Sequence, residues 1–377
     1  MIKFPPAAYI QSNDALGALV AQLAREPLLA VDTESNSMYA YRERVCLVQI
    51  STPGADYIID PLANVDMQLL APLMANPQIE KVFHAAEYDL ICLTRDYGFQ
   101  FQNIFDTMIA ARICGKKNIG LGHLLAEYLE VELDKSHQRD DWGQRPLPRE
   151  SLHYAQMDTH HLLRLRDLLC GQLQALKRWD EALEVFGDLC YVELPERDFD
   201  PDGYWRIGLP HDLNRREMAV LRELYLLRED IAQKRDLPSF KIFSNKTLIA
   251  LARYMPQHSD ELRDITGMSP LLVRRYGYVL LQTIERGRRA KLPPPPPPPT
   301  SEPGVTERYM ALHTWRKERA QERGVESDVI VSKDTLWALA RQAPNTLDAL
   351  RTIRGLGPWR LQTYGEEILQ VLRLLQG

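Results

Sequence analysis

The segment Leu28–Ser35, LLAVDTES, is an apolar run of β-strand character that ends in two acidic residues. Because successive side chains of a strand point to opposite faces, Asp32 and Glu34 share one face and Thr33 lies on the other. Two carboxylates on one face of a buried strand are costly unless something neutralises them, and their oxygens are ligands that Mg²⁺ and Mn²⁺ prefer. The alternative is that both acids meet solvent at the strand end, and the motif taken alone favours that alternative.

The sequence around this strand predicts an α/β domain with a mixed, buried sheet. Two further apolar runs follow it, VCLVQIS at 45–51 and DYIID at 56–60. Helix-like and strand-like segments then alternate, at 67–74, 81–84 and 86–97. Beyond Asp106 the pattern is helical, with an irregular stretch at 136–148 and a predicted helix at 149–169.

Three more residues occupy suggestive places. Asp89 lies in the first turn of the helix that follows strand 81–84, near the edge where open sheets place their sites. Glu87 is equally available, and nothing local chooses between the two acids. Asp158 follows Tyr154 by four residues, so both share one face of a helix.

A repeat occupies the C-terminal part of the chain. Residues 243–282 align without a gap to residues 331–370, a constant shift of 88, and 18 of the 40 pairs are identical. TLIALARYMP at Thr247 recurs as TLWALARQAP at Thr335. Each copy has an amphipathic first helix, at 215–235 and 306–323, and further short helices. The sequence therefore predicts two copies of one small all-α domain.

Seven consecutive prolines, at 293–299, separate the two copies. Such a run favours an extended polyproline II rod of about 22 Å. We therefore predict an α/β domain over 1–205, a first helical domain over 211–292, a linker over 293–301 and a second helical domain over 302–377.

Charge is distributed unevenly among these parts. Residues 1–210 carry a net charge of −12, residues 211–292 of +6 and residues 293–377 of +1. The acidic excess is consistent with metal-binding carboxylates, and the basic excess is consistent with a polyanionic partner. The alternative is that surfaces simply vary, and charge alone does not decide.

Composition bounds the class of protein. The chain has 377 residues, of which 45% are hydrophobic and 26% are charged, as in an ordinary globular protein. It has no apolar run that reaches the ~18 residues of a membrane span and no secretory signal at its start, so we expect a cytoplasmic protein. Five cysteines without a CxxC pair predict reduced thiols rather than a zinc site.

Four acids and a tyrosine occur in the order Asp32, Glu34, Asp89, Tyr154 and Asp158. With their motifs AVDTES, HAAEYDL, DWGQRPL and YAQMD, they resemble the DEDD exonuclease superfamily and, within it, the ribonuclease D family. The helical repeat resembles the HRDC domain. The resemblance covers essentially the whole chain, and the joint occurrence of these motifs and repeats is highly specific.

The superfamily divides by whether Tyr or His precedes the last acid, as YxxxD or HxxxxD. Tyr154 and His153 satisfy both patterns here. A step of four residues returns to nearly the same helix face, about 40° away, whereas five residues turn about 140°. This geometry favours Tyr154.

The resemblance implies a mechanism with two divalent ions, Mg²⁺ or Mn²⁺, held by the four acids. Asp32 would bridge both ions, Glu34 and Asp158 would complete the site of the nucleophilic water, and Asp89 would serve the other ion. Tyr154 would orient the water. The implied reaction is 3′→5′ hydrolysis of RNA with a free 3′ end, chiefly tRNA precursors, with release of nucleoside 5′-monophosphates. The sequence leaves the oligomeric state open, and a monomer is the default. The alternatives are a DNA exonuclease and a non-catalytic nucleic-acid-binding protein.

Five further residues are candidates for substrate contact. His84 is either a core histidine at a strand end or a substrate contact. Trp142 lies in the irregular stretch and is either a base-stacking or a loop-packing residue, and Arg145 belongs to the same structural or substrate-lining loop. Arg274 and Arg275 belong to the basic first repeat and are candidates for RNA phosphates. We interpret His160 and His161 as structural, because adjacent helix residues face different ways.

Overall fold

Six strands form one mixed sheet in the computed structural model, which describes residues 5–195, 199–211, 213–291, 295 and 303–375. They are β1 (Ala8–Ile10), β2 (Leu28–Ser35), β3 (Val45–Ser51), β4 (Asp56–Ile59), β5 (Glu80–Phe83) and β6 (Ile104–Asp106). The spatial order is β1-β4-β3-β2-β5-β6. β2 pairs antiparallel with β3 and parallel with β5. The mixed sheet that the sequence predicted is confirmed, and the acidic strand lies near its centre.

Side-chain alternation along β2 divides the core between the two faces of the sheet. Leu29 and Val31 pack into one hydrophobic cluster and Ala30 packs into another. β3 is buried along its whole length. A central strand that is covered on both faces reads as a continuous apolar run, which explains the sequence VCLVQIS.

Helices cover the sheet in the N-terminal half. They are α1 (Asn13–Leu23), α2 (Ala71–Met74), α3 (Glu87–Tyr97), α4 (Thr107–Ile113), α5 (Leu121–Leu129), α6 (Arg149–His160), α7 (Leu162–Ala175) and α8 (Trp179–Leu189). The single helix predicted at 149–169 is wrong, because the chain breaks into α6 and α7 at His161. None of the five cysteines, all of which lie among the described residues, forms a disulfide.

The two repeats are helical, as predicted. The first comprises α10 (Arg215–Arg235), α11 (Ser239–Ile242), α12 (Asn245–Tyr254) and α13 (Pro270–Arg289), preceded by the short α9 (Tyr204–Gly208). The second comprises α14 (Pro303–Arg323), α15 (Ser327–Ile330), α16 (Lys333–Gln342), α17 (Leu347–Leu350) and α18 (Pro358–Arg373). Among the described residues, no helix combines the length and apolar character needed to cross a membrane.

One glycine pair shows how closely the repeats correspond. Gly267 and Gly355 are 88 residues apart and have φ angles of +87° and +82°, in the left-handed region that favours glycine. A Cβ atom at either position would collide with the hydroxyl of Thr247 or Thr335, respectively. The same threonine therefore packs against the same glycine in both copies.

The chain divides into two units, residues 1–35, 45–194 and 300–377, and residues 36–44 and 195–299. The first unit thus joins the α/β part with the second repeat. The second unit joins the first repeat with nine residues from between β2 and β3. Apart from Pro295, the predicted polyproline rod lies outside the described residues.

Helix α8 connects the α/β part to the second repeat within the first unit. Its fully buried Glu181 binds Arg323, with 2.9 Å between Oε1 and Nη1. Its Glu184 binds Arg360, with 2.8 Å between Oε1 and Nη1. On its other side α8 packs against β6 and α4. The second repeat is therefore held to the α/β part by two pairs of opposite charge.

Candidate active site

Three carboxylates meet at the C-terminal end of β2. One oxygen each from Asp32, Glu34 and Asp158 lies within 4.8 Å of the other two, and all three side chains are partly buried. The predicted common face of Asp32 and Glu34 is thus observed. Asp158 joins them from α6, more than a hundred residues later in the chain.

Packing of α6 across β2, β3 and β4 brings Asp158 to the strand. The Thr159 and Ser51 hydroxyls share a hydrogen bond of 2.7 Å between α6 and β3. Asp32 lies opposite Gln49 of β3 in the strand register. The position of Asp158 is therefore fixed by tertiary contacts that periodicity along the sequence does not reveal.

The structure distinguishes Asp89 from Glu87. Asp89 is 6% exposed, whereas Glu87 faces solvent. The Thr33 hydroxyl donates a hydrogen bond of 2.5 Å to Asp89 Oδ1. Burial raises the pKa of Asp89, and the charge of Asp32 raises it further. Asp89 therefore belongs to the same electrostatic group, although its oxygens are not among the three that lie within 4.8 Å of one another.

A second buried carboxylate fixes the start of the helix that carries Asp89. Asp106 accepts hydrogen bonds from the backbone N–H groups of Ala85 at 3.2 Å and Ala86 at 2.7 Å. It also caps α4 by accepting from Met108 N at 2.8 Å. Ala85 has a φ angle of +62°, which the turn between β5 and α3 requires. Asp106 thus orients α3, a role that sequence reasoning missed.

Tyr154 points toward the acidic cluster and His153 points to solvent. The Tyr154 hydroxyl hydrogen-bonds to Asp158, and burial together with the charges of Asp158, Glu34 and Asp32 raises the pKa of Tyr154. The phenol therefore stays protonated at neutral pH. His153 is exposed, so the arrangement agrees with the helix geometry that favoured Tyr154.

Burial dominates the electrostatics of the cluster. It raises the pKa of Asp32, to which the charge of Asp158 adds. Burial also raises the pKa of Glu34, helped by Asp32 and Asp158. For Asp158 burial raises the pKa to about 7, against the opposing hydrogen bond from Tyr154. These carboxylates repel one another, and a bound cation would relieve that repulsion.

Of the two alternatives for Trp142, base stacking and loop packing, the structure favours loop packing. This side chain is 2% exposed and lies 6.1 Å from Tyr154, measured between ring centroids. It packs in a small core with Cys46, Leu47 and Ile58. Buried in this way, the indole presents no face to a base and instead supports Tyr154 from within the protein.

The contacts of Arg145 likewise favour the structural alternative for its loop. Its guanidinium holds Asp60 through two hydrogen bonds of 2.7 Å. It also donates to the backbone carbonyls of Trp142 at 2.8 Å and Cys46 at 2.9 Å. Because its donors bind protein groups, Arg145 fixes the loop rather than contacting substrate.

The histidines take structural positions. His84 Nδ1 lies 2.9 Å from the Thr107 hydroxyl, and burial lowers the pKa of His84 to about 4. It is thus a neutral histidine bonded within the core, which supports the structural interpretation over substrate contact. His160 Nδ1 lies 2.7 Å from Asp56 of β4, which agrees with the structural reading of the histidine pair.

Comparisons with known proteins match both parts of the chain. A family model described as 3′-5′ exonuclease matches residues 7–174, and the HRDC domain model matches residues 217–284 and 305–372. The chain is 32% identical over 295 residues to the exosome complex component 10 homolog of Caenorhabditis elegans, covering 77% of this chain but only 34% of that protein. It is 30% identical to ribonuclease D of Pseudomonas paraeruginosa, covering 98% of both proteins.

The chain belongs to the ribonuclease D family. The crystal structure of Escherichia coli RNase D, described as an exoribonuclease involved in structured RNA processing, superposes with a TM-score of 0.67 at 26% identity. That match covers 98% of this chain and 99% of the other. Membership in the ribonuclease D family makes the protein a hydrolytic exoribonuclease and confirms both the predicted family and the predicted fold.

The ribonuclease D-type site is suited to a divalent metal ion. The donors of Asp32, Glu34 and Asp158 are hard carboxylate oxygens that converge, as Mg²⁺ and Mn²⁺ require. The amide of Gln49, opposite Asp32, is fully buried and has no hydrogen-bond partner among the described residues. The residues present therefore fit a metal, and Asp89 stands beside them as a further carboxylate.

Two neighbours of this ribonuclease D-type site were not predicted from the sequence. Thr33 was placed on the opposite face of β2, yet its hydroxyl binds Asp89. Asp140 lies in the irregular stretch, and its charge contributes to the raised pKa of Glu34. Its place in the run RDDWG was the only available signal.

Arg274 and Arg275 are exposed on α13, as expected of phosphate contacts.

Proposed function

We propose that this protein is a metal-dependent 3′→5′ exoribonuclease that trims the 3′ ends of tRNA precursors and other stable RNAs and releases nucleoside 5′-monophosphates. The observation that carries the proposal is the convergence of Asp32, Glu34 and Asp158 within 4.8 Å beside a protonated tyrosine. The five cysteines, none of which forms a disulfide, support action in the reducing cytoplasm. We take the monomer as the working unit.

We propose that the four acids, Asp32, Glu34, Asp89 and Asp158, would hold two divalent ions, Mg²⁺ or Mn²⁺. Asp32 would contribute to both ion sites and Asp89 to the second. Two such ions, when bound, activate a water and stabilise charge on the attacking and leaving oxygens. Thr33 binds the Asp89 carboxylate directly, and Asp106 fixes the start of the helix that carries Asp89. The Asp89 carboxylate is therefore positioned before substrate arrives.

Tyr154 is proposed to orient the nucleophilic water. Its raised pKa keeps the hydroxyl protonated, so the oxygen can donate one hydrogen bond and accept another. The bond to Asp158 fixes the hydroxyl, and the buried Trp142 fixes the ring. Together these contacts limit the positions that the water can take.

RNA is proposed as the substrate, with the first repeat as a binding module. The relatives named ribonuclease D and the RNase D structure support RNA. The net charge of +6 over residues 211–292 and the exposed Arg274 and Arg275 support contact with phosphates. tRNA precursors follow from the family resemblance.

The test is a gel time-course with a 3′-extended tRNA precursor labelled at its 5′ end, in Mg²⁺ or EDTA. We expect a ladder that shortens from the 3′ end only with metal, and none with Asp32→Asn. Asp14→Asn, an exposed acid on α1, is the matched control and is expected to retain activity.

A matched DNA oligonucleotide separates the alternatives. Faster shortening of DNA than of RNA would replace the proposal with a DNA exonuclease. Binding without shortening of either polymer, in Mg²⁺ or Mn²⁺, would replace it with a non-catalytic nucleic-acid-binding protein.

A further inference from the structure

The outer face of α13 combines an aromatic ring with two cations. Tyr278 is 78% exposed, and Arg274 and Arg275 are exposed as well. The arginines precede Tyr278 by four and three residues, so all three side chains share one side of the helix. Gln282 Nε2 donates to the Tyr278 hydroxyl at 2.7 Å from the next turn. Because the hydroxyl already has a partner on its own helix, the group that Tyr278 offers to a ligand is its ring.

The two arginines carry positive charge that no described carboxylate neutralises. Neither of them forms an ion pair within the part of the chain that the structure describes. Arginines farther along the same helix are paired, Arg286 with Glu223 at 2.6 Å and Arg289 with Glu285 at 2.6 Å. The charge around Tyr278 therefore suits an anionic ligand that brings its own negative groups.

The second repeat has the same helix without this surface. The shift of 88 residues places Gln362, Thr363 and Glu366 at the positions of the two arginines and the tyrosine. All three are exposed on α18. Two cations and a ring are thus replaced by two neutral side chains and an anion, so the surface is specific to the first repeat.

The fold of a repeat does not require the exposed tyrosine. It uses a buried one instead, which is Tyr276 in the first copy and Tyr364 in the second, at 8% and 3% exposure. Each buried hydroxyl lies 2.6 Å from an arginine of the first long helix, Arg235 or Arg323. Packing retains this tyrosine in both copies, whereas Tyr278 needs an explanation outside the packing of the repeat.

Single-stranded RNA has the chemistry that fits this surface. Its unpaired bases stack on aromatic side chains, and its phosphates bind nearby cations. In a duplex the faces of the bases are covered by their neighbours in the stack, so the ring of Tyr278 has nothing to receive. The two groups on α13 therefore favour an unpaired segment of RNA over a double helix.

We propose that Tyr278 is the stacking residue of a single-stranded RNA site on α13. One unpaired base lies on its ring, and Arg274 and Arg275 bind phosphates of the same segment. The proposal rests on the proposed function and deepens it, because it names the form of RNA that the first repeat holds and the residue that contacts a base.

The test measures binding of a labelled, single-stranded oligouridylate to the full chain by fluorescence anisotropy. EDTA is present throughout, and the titration is repeated at several salt concentrations. The variants are Tyr278→Ala, which keeps a good helix former on an exposed position, and Tyr278→Phe, which keeps the ring. Tyr254→Ala is the matched control, since Tyr254 is 73% exposed in the same repeat but has Ala250 and Leu251 where Tyr278 has its arginines.

We expect Tyr278→Ala to weaken binding by about fivefold to 150-fold, the effect of losing one stacked base. The slope of log affinity against log salt should stay unchanged, because no charge is removed. Tyr278→Phe and Tyr254→Ala should match the unchanged chain. An abasic oligomer of the same length keeps the phosphates without the bases, and Tyr278→Ala should bind it as well as the unchanged chain does.

Equal affinity of Tyr278→Ala and the unchanged chain for oligouridylate would overturn the proposal, as would failure of the unchanged chain to bind it. An equal loss in Tyr278→Phe would assign the effect to the hydroxyl, and an equal loss on the abasic oligomer would exclude base stacking. Failure of the proposed function is distinguishable, because it appears as absent shortening in the gel time-course, whereas binding in EDTA does not depend on turnover.

Discussion

Replacing Arg360 with leucine tests how the second repeat is held. Leucine is the residue at the equivalent position of the first repeat, Leu272, so the fold of a repeat accommodates it. In the second repeat Arg360 and its partner Glu184 are each 7% exposed. Arg360→Leu leaves the Glu184 carboxylate buried. Its remaining donors are the backbone N–H groups of Trp359, at 2.6 Å, and of residue 360, at 3.4 Å.

The expected loss follows from this burial. Removing one partner of a buried ion pair costs about 3–5 kcal/mol of unfolding free energy, because an uncompensated charge stays behind. Arg354 offers the matched control, since it pairs with Glu193 at side-chain exposures of 64% and 77%. An exposed pair contributes about 0–1 kcal/mol, so Arg354→Leu should have little effect.

Urea unfolding followed by circular dichroism measures the difference. We expect Arg360→Leu to lower the midpoint clearly and Arg354→Leu to leave it nearly unchanged. The double variant Glu184→Met/Arg360→Leu should recover much of the loss, because two apolar side chains replace the pair. Equal midpoints for the two single arginine variants would refute the assignment of Glu184 and Arg360 as a buried, stabilising pair.

Four further predictions concern the site and the substrate. Asp158→Asn should lower kcat by about 10⁴-fold or more while the circular dichroism spectrum stays unchanged; near-normal turnover would contradict its role. Tyr154→Phe should slow hydrolysis by about 100-fold and His153→Ala much less, and single-turnover rates with the reverse ranking would move the chain to the histidine subclass. Because burial raises the pKa of Asp158 from 3.8 to about 7, the stability it contributes without metal is complete at low pH and is lost as pH rises through about 7. Mg²⁺ should therefore raise the melting temperature more at pH 8 than at pH 5, and an equal rise would contradict this. Replacing Arg274 and Arg275 with glutamine should reduce the slope of log affinity against log salt for long RNA by about 1.4 to 1.8, and an unchanged slope would remove them from the interface.

Local patterns predicted the parts of the fold that local physics controls. The alternation in β2 placed Asp32 and Glu34 on one face, and the four-residue step placed Tyr154 with Asp158. Both follow from the geometry of one strand or one helix. The match of the two repeats was likewise visible, since it needs only comparison of the chain with itself.

Contacts between distant residues could not be predicted in this way. Trp142 and Arg145 are polar or aromatic residues in an irregular stretch, which fits either a substrate contact or a packed loop. Only the three-dimensional fold shows that Asp60, 85 positions away from Arg145, takes up its guanidinium. The hydrogen bond between Thr33 and Asp89 could not be predicted either, because these residues are 56 positions apart in the chain.

The order of synthesis has a consequence for residues 36–44, the segment between β2 and β3 that belongs to the same compact unit as the first repeat. Tyr41 leaves the ribosome 195 residues before Asp236, the carboxylate that accepts its N–H. At about 5–20 residues per second, this interval is on the order of 10–40 s. During this interval the Tyr41 N–H of the nascent chain lacks its Asp236 acceptor. A fragment that ends before the first repeat would contain all six strands of the sheet, but its Tyr41 N–H would never meet Asp236.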